Sequence, residues 1–288
     1  MPLIAVGDLI DRSWEHYRKE FRDLIAVSGW ILLVALMDVT ALAIYPSASK
    51  IIGDSALSTQ ETLGVGLYAF ANWMLAPIIG LWTFVALVRL VRSQLSGESN
   101  GLAAAARDGV RMFFPALLVS ALVILVLFGA VAAGFAPALA LTIAASYVQN
   151  NALAVLAGLS LIVGTIVAIV LGLSWSVRSY FAPYALLMDG KRGRASVSAS
   201  RAMVNGRFWP VLIRLVVPKL VFIMLGILAA SVVSFVYSLA TGAFAGMNLD
   251  VQLRLSTIST SVLSALAAAL LNPLIVTADV MLYQSMKR

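Results

Sequence analysis

The sequence predicts an all-α, polytopic membrane protein with six transmembrane helices. They form three helical hairpins, each preceded by an interfacial amphipathic helix. Three observations predict this. Apolar residues fill 61% of the 288 positions and charged residues only 11%, with mean hydropathy +0.98. A soluble domain is roughly 45–50% apolar and about 25% charged. Six stretches also reach the roughly 20 apolar residues needed to cross about 30 Å of hydrocarbon. Finally, eighteen of the twenty Lys and Arg residues fall on one side of those stretches. Composition excludes disordered, soluble and disulfide-stapled classes. With no cysteine and a single histidine, His16, thiolate chemistry and a histidine metal cluster are excluded within one chain.

The first 24 residues read as an amphipathic helix. Val6, Ile10, Trp14, Tyr17, Phe21 and Leu24 recur at helical spacing on one face. Asp8–Arg12 and Glu15–Lys19 are i, i+4 pairs on other faces. Aromatics on such a helix suit the membrane interface. His16 and Glu20 also stand at i, i+4, where a wet surface pair is expected. The segment before Ala41–Leu42–Ala43 is too long and too acidic for the start of a cleaved signal peptide.

Span one is expected from Leu24 to about Ile44 and span two from about Val65 to Val88. Asp38 lies about 21 Å into the first and Asn72 about 10 Å into the second, entering from opposite sides. Their shared depth predicts a hydrogen bond between them. An ionisable residue in a span marks a functional site, and helix association is the competing role. Span three is expected from Phe113 to about Gly134, span four from about Ala152 to Val177. Span five begins between Trp209 and Leu220 and ends near Ala240; span six runs from about Ile258 to Tyr283. Lipid leaves no partner for free backbone groups, so each must be helical. Pro218–Lys219 and Asn272–Pro273 are expected to break spans five and six. Lys219, Asn272 and Asp279 are candidates for one polar pocket, a pattern seen at transport sites.

Placing the cations orients the chain. The side opposite the eighteen holds Lys50 and Arg254 alone. The positive-inside rule then puts both termini in the cytoplasm, in a cytoplasmic (inner) membrane. The formal net charge of +7 reflects topology and anionic headgroups, not nucleic acid. The 288 residues are expected to form a single membrane domain of three pseudo-repeats at about 1–92, 93–178 and 179–288. Phe114–Pro115 and Trp209–Pro210 recur at a spacing of 95, and Arg22–Asp23 lies 92 before the first. Proline suits the first helical turn, where the chain would bend into the bilayer. With two spans per unit, the repeats keep one orientation.

The third unit carries further motifs. Trp175-Ser-Val-Arg-Ser-Tyr-Phe-Ala-Pro-Tyr-Ala-Leu-Leu-Met-Asp-Gly190 precedes Ala195-Ser-Val-Ser-Ala-Ser-Arg201 and Val204-Asn-Gly-Arg-Phe-Trp209. Over about residues 172–215 this resembles the membrane domain of the glycerophosphoryl diester phosphodiesterase membrane-domain family and related bacterial membrane proteins. Elsewhere the likeness is architectural. Relatives often end in Tyr-x-Asp-Leu-Arg, whereas this chain has Tyr283-Gln-Ser-Met-Lys287. Some attach a phosphodiesterase barrel, and nothing here could form one. The resemblance therefore implies the membrane part without that activity. Arg178, Arg192, Arg194, Arg201 and Arg207 sit at expected headgroup depth, where they are candidates for anionic lipid or phosphate. Positive-inside charge alone also explains them.

Catalysis finds no motif: no phosphate-cradling glycine loop, nucleophile elbow or zinc signature. No enzyme activity, cofactor or metal is expected. The leading expectation is a membrane bundle contacting anionic lipids at its cytoplasmic face. The alternatives are a small permease-like component for a lipid or amphiphile, and a non-catalytic subunit of a phospholipid-processing enzyme. Membrane lipids are the expected partners; a protein partner would be a second copy or another membrane protein.

Overall fold

The computed structural model describes residues 3–53, 56–97, 101–242 and 249–287, and among them every regular element is helical. Six segments are long and apolar enough to cross a membrane: Phe21–Ala43, Thr59–Ser96, Phe113–Val148, Asn151–Asp189, Phe208–Tyr237 and Asp250–Lys287. Their number and order are those expected, and most run longer than expected. Span three continues past Gly134 to Val148 because an alanine-rich run favours helix. Only Gln149 and Asn150 connect it to span four; the Asn150 side chain accepts from the Ala152 amide at 2.8 Å and caps the new helix.

The chain divides into two compact units: 1–113 with 214–286, and 114–213 with Lys287. The first contains α1 (Val6–Lys19), α2 (Phe21–Ser28), a 3₁₀ turn at Gly29–Ile31, and α3 (Leu32–Ala43). Then come the short α4 (Ala48–Ile52), α5 (Thr59–Phe70), a π-helical turn at Ala71–Leu75, α6 (Ala76–Ser96) and α7 (Leu102–Arg111). α3 packs on α5, and α6 on both α2 and α7. Gly109 makes the last contact close. A Cβ there would meet the Trp82 ring nitrogen at 2.8 Å. Arg89 Nε donates to Asp108 Oδ2 at 2.6 Å across the same pair.

The second unit contains α8 (Phe113–Val148), α9 (Asn151–Ser179), α10 (Ala182–Asp189) and α11 (Arg194–Val204). Helix α12 (Phe208–Gly242) starts there and continues into the first unit, which also holds α13 (Leu249–Lys287) up to Met286. α8 and α9 meet at Gly134 and Gly164, where a Cβ on Gly134 would lie 2.7 Å from the Gly164 carbonyl oxygen. Ala130, Ala138, Ala157 and Ala168 are buried around that crossing. Small residues let backbones approach where no hydrophobic effect drives association. α10 ends at Gly190, whose φ of 70° lets the amides of 190 and 191 reach back to the Leu186 and Ala185 carbonyls.

The expected proline breaks do not occur. α12 runs through Pro218 and α13 through Pro273 without interruption. Proline lacks an N–H, so the carbonyl four residues earlier loses its helical donor. For Pro273 that carbonyl belongs to Ala269, and Ser28 Oγ on α2 donates to it at 2.6 Å. A hydroxyl from a neighbouring helix satisfies the freed group, and α13 stays helical.

That contact belongs to an antiparallel ladder along the first unit. Ser13 Oγ lies 3.8 Å from Met281 Sδ, Ser28 bonds Ala269, and Ser261 Oγ donates to Asp38 Oδ2 at 2.6 Å. Arg254 donates to the carbonyls of Ala43 (3.0 Å) and Tyr45 (2.8 Å). Partner positions descend α13 as they ascend from α1 to the end of α3. Arg254 thereby caps the Ala43 carbonyl at the C-terminus of α3 and holds the Tyr45 carbonyl just beyond it. Lys50, the other cation expected on that side, pairs with Glu61 at 2.7 Å, and Glu61 closes a capping box with Ser58 at the start of α5. Both exceptions to the charge asymmetry thus have local structural partners.

α1 also departs from expectation. Leu9, Ser13 and Tyr17 are buried, whereas Trp14 and Phe21 are exposed. The apolar face is therefore shared, one edge against the protein and the other uncovered. His16 does not form a wet pair with Glu20. It is half-buried, with Nε2 3.1 Å from Gln94 Oε1 on α6, and Gln94 Nε2 in turn lies 3.5 Å from Glu20 Oε2.

Candidate functional site

Asp38 is the most enclosed carboxyl of spans one and two, at 5% exposure. Asn72 Nδ2 donates to its Oδ1 at 2.9 Å, the contact that shared depth predicts, and Ser261 Oγ donates to Oδ2. Asn72 sits in the π-helical turn Ala71–Leu75 and also donates to the Tyr68 carbonyl at 3.0 Å. Such turns widen the helix and often occur where a side chain must be re-aimed. The sequence shows Asp38 and Asn72 plainly. Ser261 escapes it, because one serine among many in a span carries no signal of its partner.

A cavity of about 490 Å³ opens beside this triad. α3 contributes Val34, Ala35 and Asp38; span two contributes Tyr68, Asn72 and Ala76. α13 contributes Ser256, Thr257, Thr260, Ser261, Ser264, Ala265 and Ala268. The hydroxyl positions recur at helical spacing and form one stripe. From Ser256 to Ala268 the stripe runs about 18 Å at 1.5 Å per residue. Polarity is graded along it. Hydroxyls, Asp38, Asn72 and Tyr68 line one end; Ile31, Val34, Ala35, Ala76, Ala265 and Ala268 line the other.

The other candidates resolve differently. Lys219 Nζ lies 3.1 Å from Asp279 Oδ1, with Asp279 at 3% exposure. Asp279 is the buried member of this pair, and Lys219 is half-buried. Asn272 makes no hydrogen bond with them among the described residues, and its place two turns before Asp279 separates it by about 10 Å.

In the second unit, Arg178, Arg192, Arg194, Arg201 and Arg207 are all exposed. With Lys191 and Lys287 the unit holds seven cations against one acid, Asp189. Among the described residues, no carboxylate pairs with these arginines. Arg201 lies over the Trp175 ring, 5.4 Å from its centroid. Ser200, buried beside it, accepts from the Phe181 amide at 3.1 Å and donates to the Arg178 carbonyl at 2.7 Å. Several residues of the third-unit motif thus tie α11 to the junction of α9 and α10.

No family model, curated protein or solved structure matches this chain.

Proposed function

We propose that this protein is a non-catalytic, multi-pass component of the cytoplasmic membrane that takes up a lipid or other amphiphile beside Asp38, in the manner of a small permease. The graded groove supports this reading. A polar end joined to an apolar end within one cavity matches a molecule built the same way, and an enclosed intramembrane carboxyl marks a functional site by default. Mass spectrometry of molecules retained on gently purified protein tests it. Ser264→Trp should fill the groove and remove a retained amphiphile while the protein still folds. Equal retention by wild type and Ser264→Trp would refute the reading.

A second reading concerns the basic face. Five exposed arginines with no carboxylate partner among the described residues support contact with anionic headgroups, with both termini cytoplasmic. Neutralising Arg192, Arg194 and Arg207 together should reduce co-purifying anionic lipid. Unchanged lipid content would leave these charges as topology signals alone.

A further inference from the structure

We propose that the head of the amphiphile held beside Asp38 is a protonated primary amine, bound by a surface that offers acceptors and one carboxylate. This rests on the groove reading above and narrows its ligand class.

Four of the five hydroxyl protons on the stripe are already committed, and the fifth, on Ser264, lies toward the apolar end. Ser256 and Thr257 donate to the Leu253 carbonyl at 2.8 and 2.9 Å, Thr260 to the Ser256 carbonyl at 2.8 Å, and Ser261 to Asp38. What these oxygens present outward is lone pairs. Asp38 receives one donor on each oxygen, from Asn72 and Ser261. A carboxylate has about four acceptor sites, so capacity remains. The Asn72 amide protons are engaged by Asp38 and by the Tyr68 carbonyl. Among the described residues no Lys or Arg lines the cavity, and Arg254, two residues before Ser256, is turned onto the carbonyls of Ala43 and Tyr45. An anionic head would meet the Asp38 carboxylate and no cation, with only the Tyr68 and Ser264 hydroxyls left to donate. A neutral alcohol would satisfy one acceptor. An ammonium supplies three donors and the matching charge. The apolar end, from Ala265 to Ala268 and across to Ile31, then receives the chain.

Binding of dodecylammonium, dodecanol, dodecyl phosphate and ethylammonium to the full chain in phosphatidylcholine nanodiscs tests this. Dodecylammonium should bind at least about tenfold tighter than dodecanol, the margin a charge-assisted bond gives. Dodecyl phosphate should bind worse than dodecanol, and ethylammonium should not bind measurably. The preference should vanish in Asp38→Asn. Should that variant fail to fold, Thr260→Val, which keeps the shape and removes one acceptor, should weaken dodecylammonium and leave dodecanol unchanged. Equal binding of dodecylammonium and dodecanol would overturn the amine assignment and leave the groove reading standing. Ethylammonium binding as tightly as dodecylammonium would overturn the amphiphile class. Binding of none of the long-chain probes would overturn both readings.

Discussion

Spans one, two and six are held differently from spans three and four. In the first set, 39%, 44% and 33% of an apolar 18-residue stretch is buried; in the second, 17% each. The first set is joined by polar contacts at successive levels: Ser28 to Ala269, Asp38 to Asn72 and Ser261, Arg254 to the end of α3. The hydroxyls of Thr142 and Thr165 in the second set donate to their own helices. There the close approach at Gly134 and Gly164 does the joining. One membrane solvent thus permits two solutions. Directional bonds specify register and leave room for a cavity. Backbone proximity needs no partner chemistry but tolerates no added volume.

Breaking the second solution should have the largest effect. Gly164→Val places methyl groups against the Gly134 carbonyl and should cost about 3 kcal/mol, at the upper end of overpacking. Unfolding in mixed micelles measures it; an unchanged midpoint would show that α8 and α9 do not rely on that crossing. In the first unit, Asp38→Ala strands the Asn72 amide and the Ser261 hydroxyl, and should cost about 2 kcal/mol by the same assay. Ser28→Ala removes the donor to the carbonyl freed by Pro273 and should cost about 1 kcal/mol. Adding Pro273→Ala restores a helical donor, so Ser28→Ala should cost less in that background. Equal costs in both backgrounds would break the argument for the continuous α13.

The smallest effect sharpens the picture at the edge of the first unit. Burial lowers the His16 pKa from its ordinary 6.5, while Gln94 and Glu20 oppose the shift. The folded protein therefore holds the imidazole neutral below the pH at which the unfolded chain protonates. This contribution is complete above about pH 6.5 and is lost as pH falls through the lowered folded value. The thermal midpoint should decline on that acid limb, and His16→Gln should flatten the decline. An identical slope in the variant would place the pH dependence elsewhere.

The number and order of the spans were legible from composition alone. Hydrocarbon demands about 20 apolar residues per crossing, and that demand acts locally. The Asp38–Asn72 pair was legible too, since two polar residues at one depth on consecutive spans have few other partners. The unbroken course through Pro273 was not. It depends on Ser28, which lies 241 positions from the Ala269 carbonyl it bonds, and nothing near the proline records that donor. Likewise Arg254 reads as a stray charge until the carbonyls of Ala43 and Tyr45 are placed against it. The sequence by itself determined which segments leave water and which residues are too polar to do so unaided. Tertiary structure decided which of those residues meet, because a hydrogen bond needs two groups within about 3 Å. Only the packing of helices distant in the chain sets that separation.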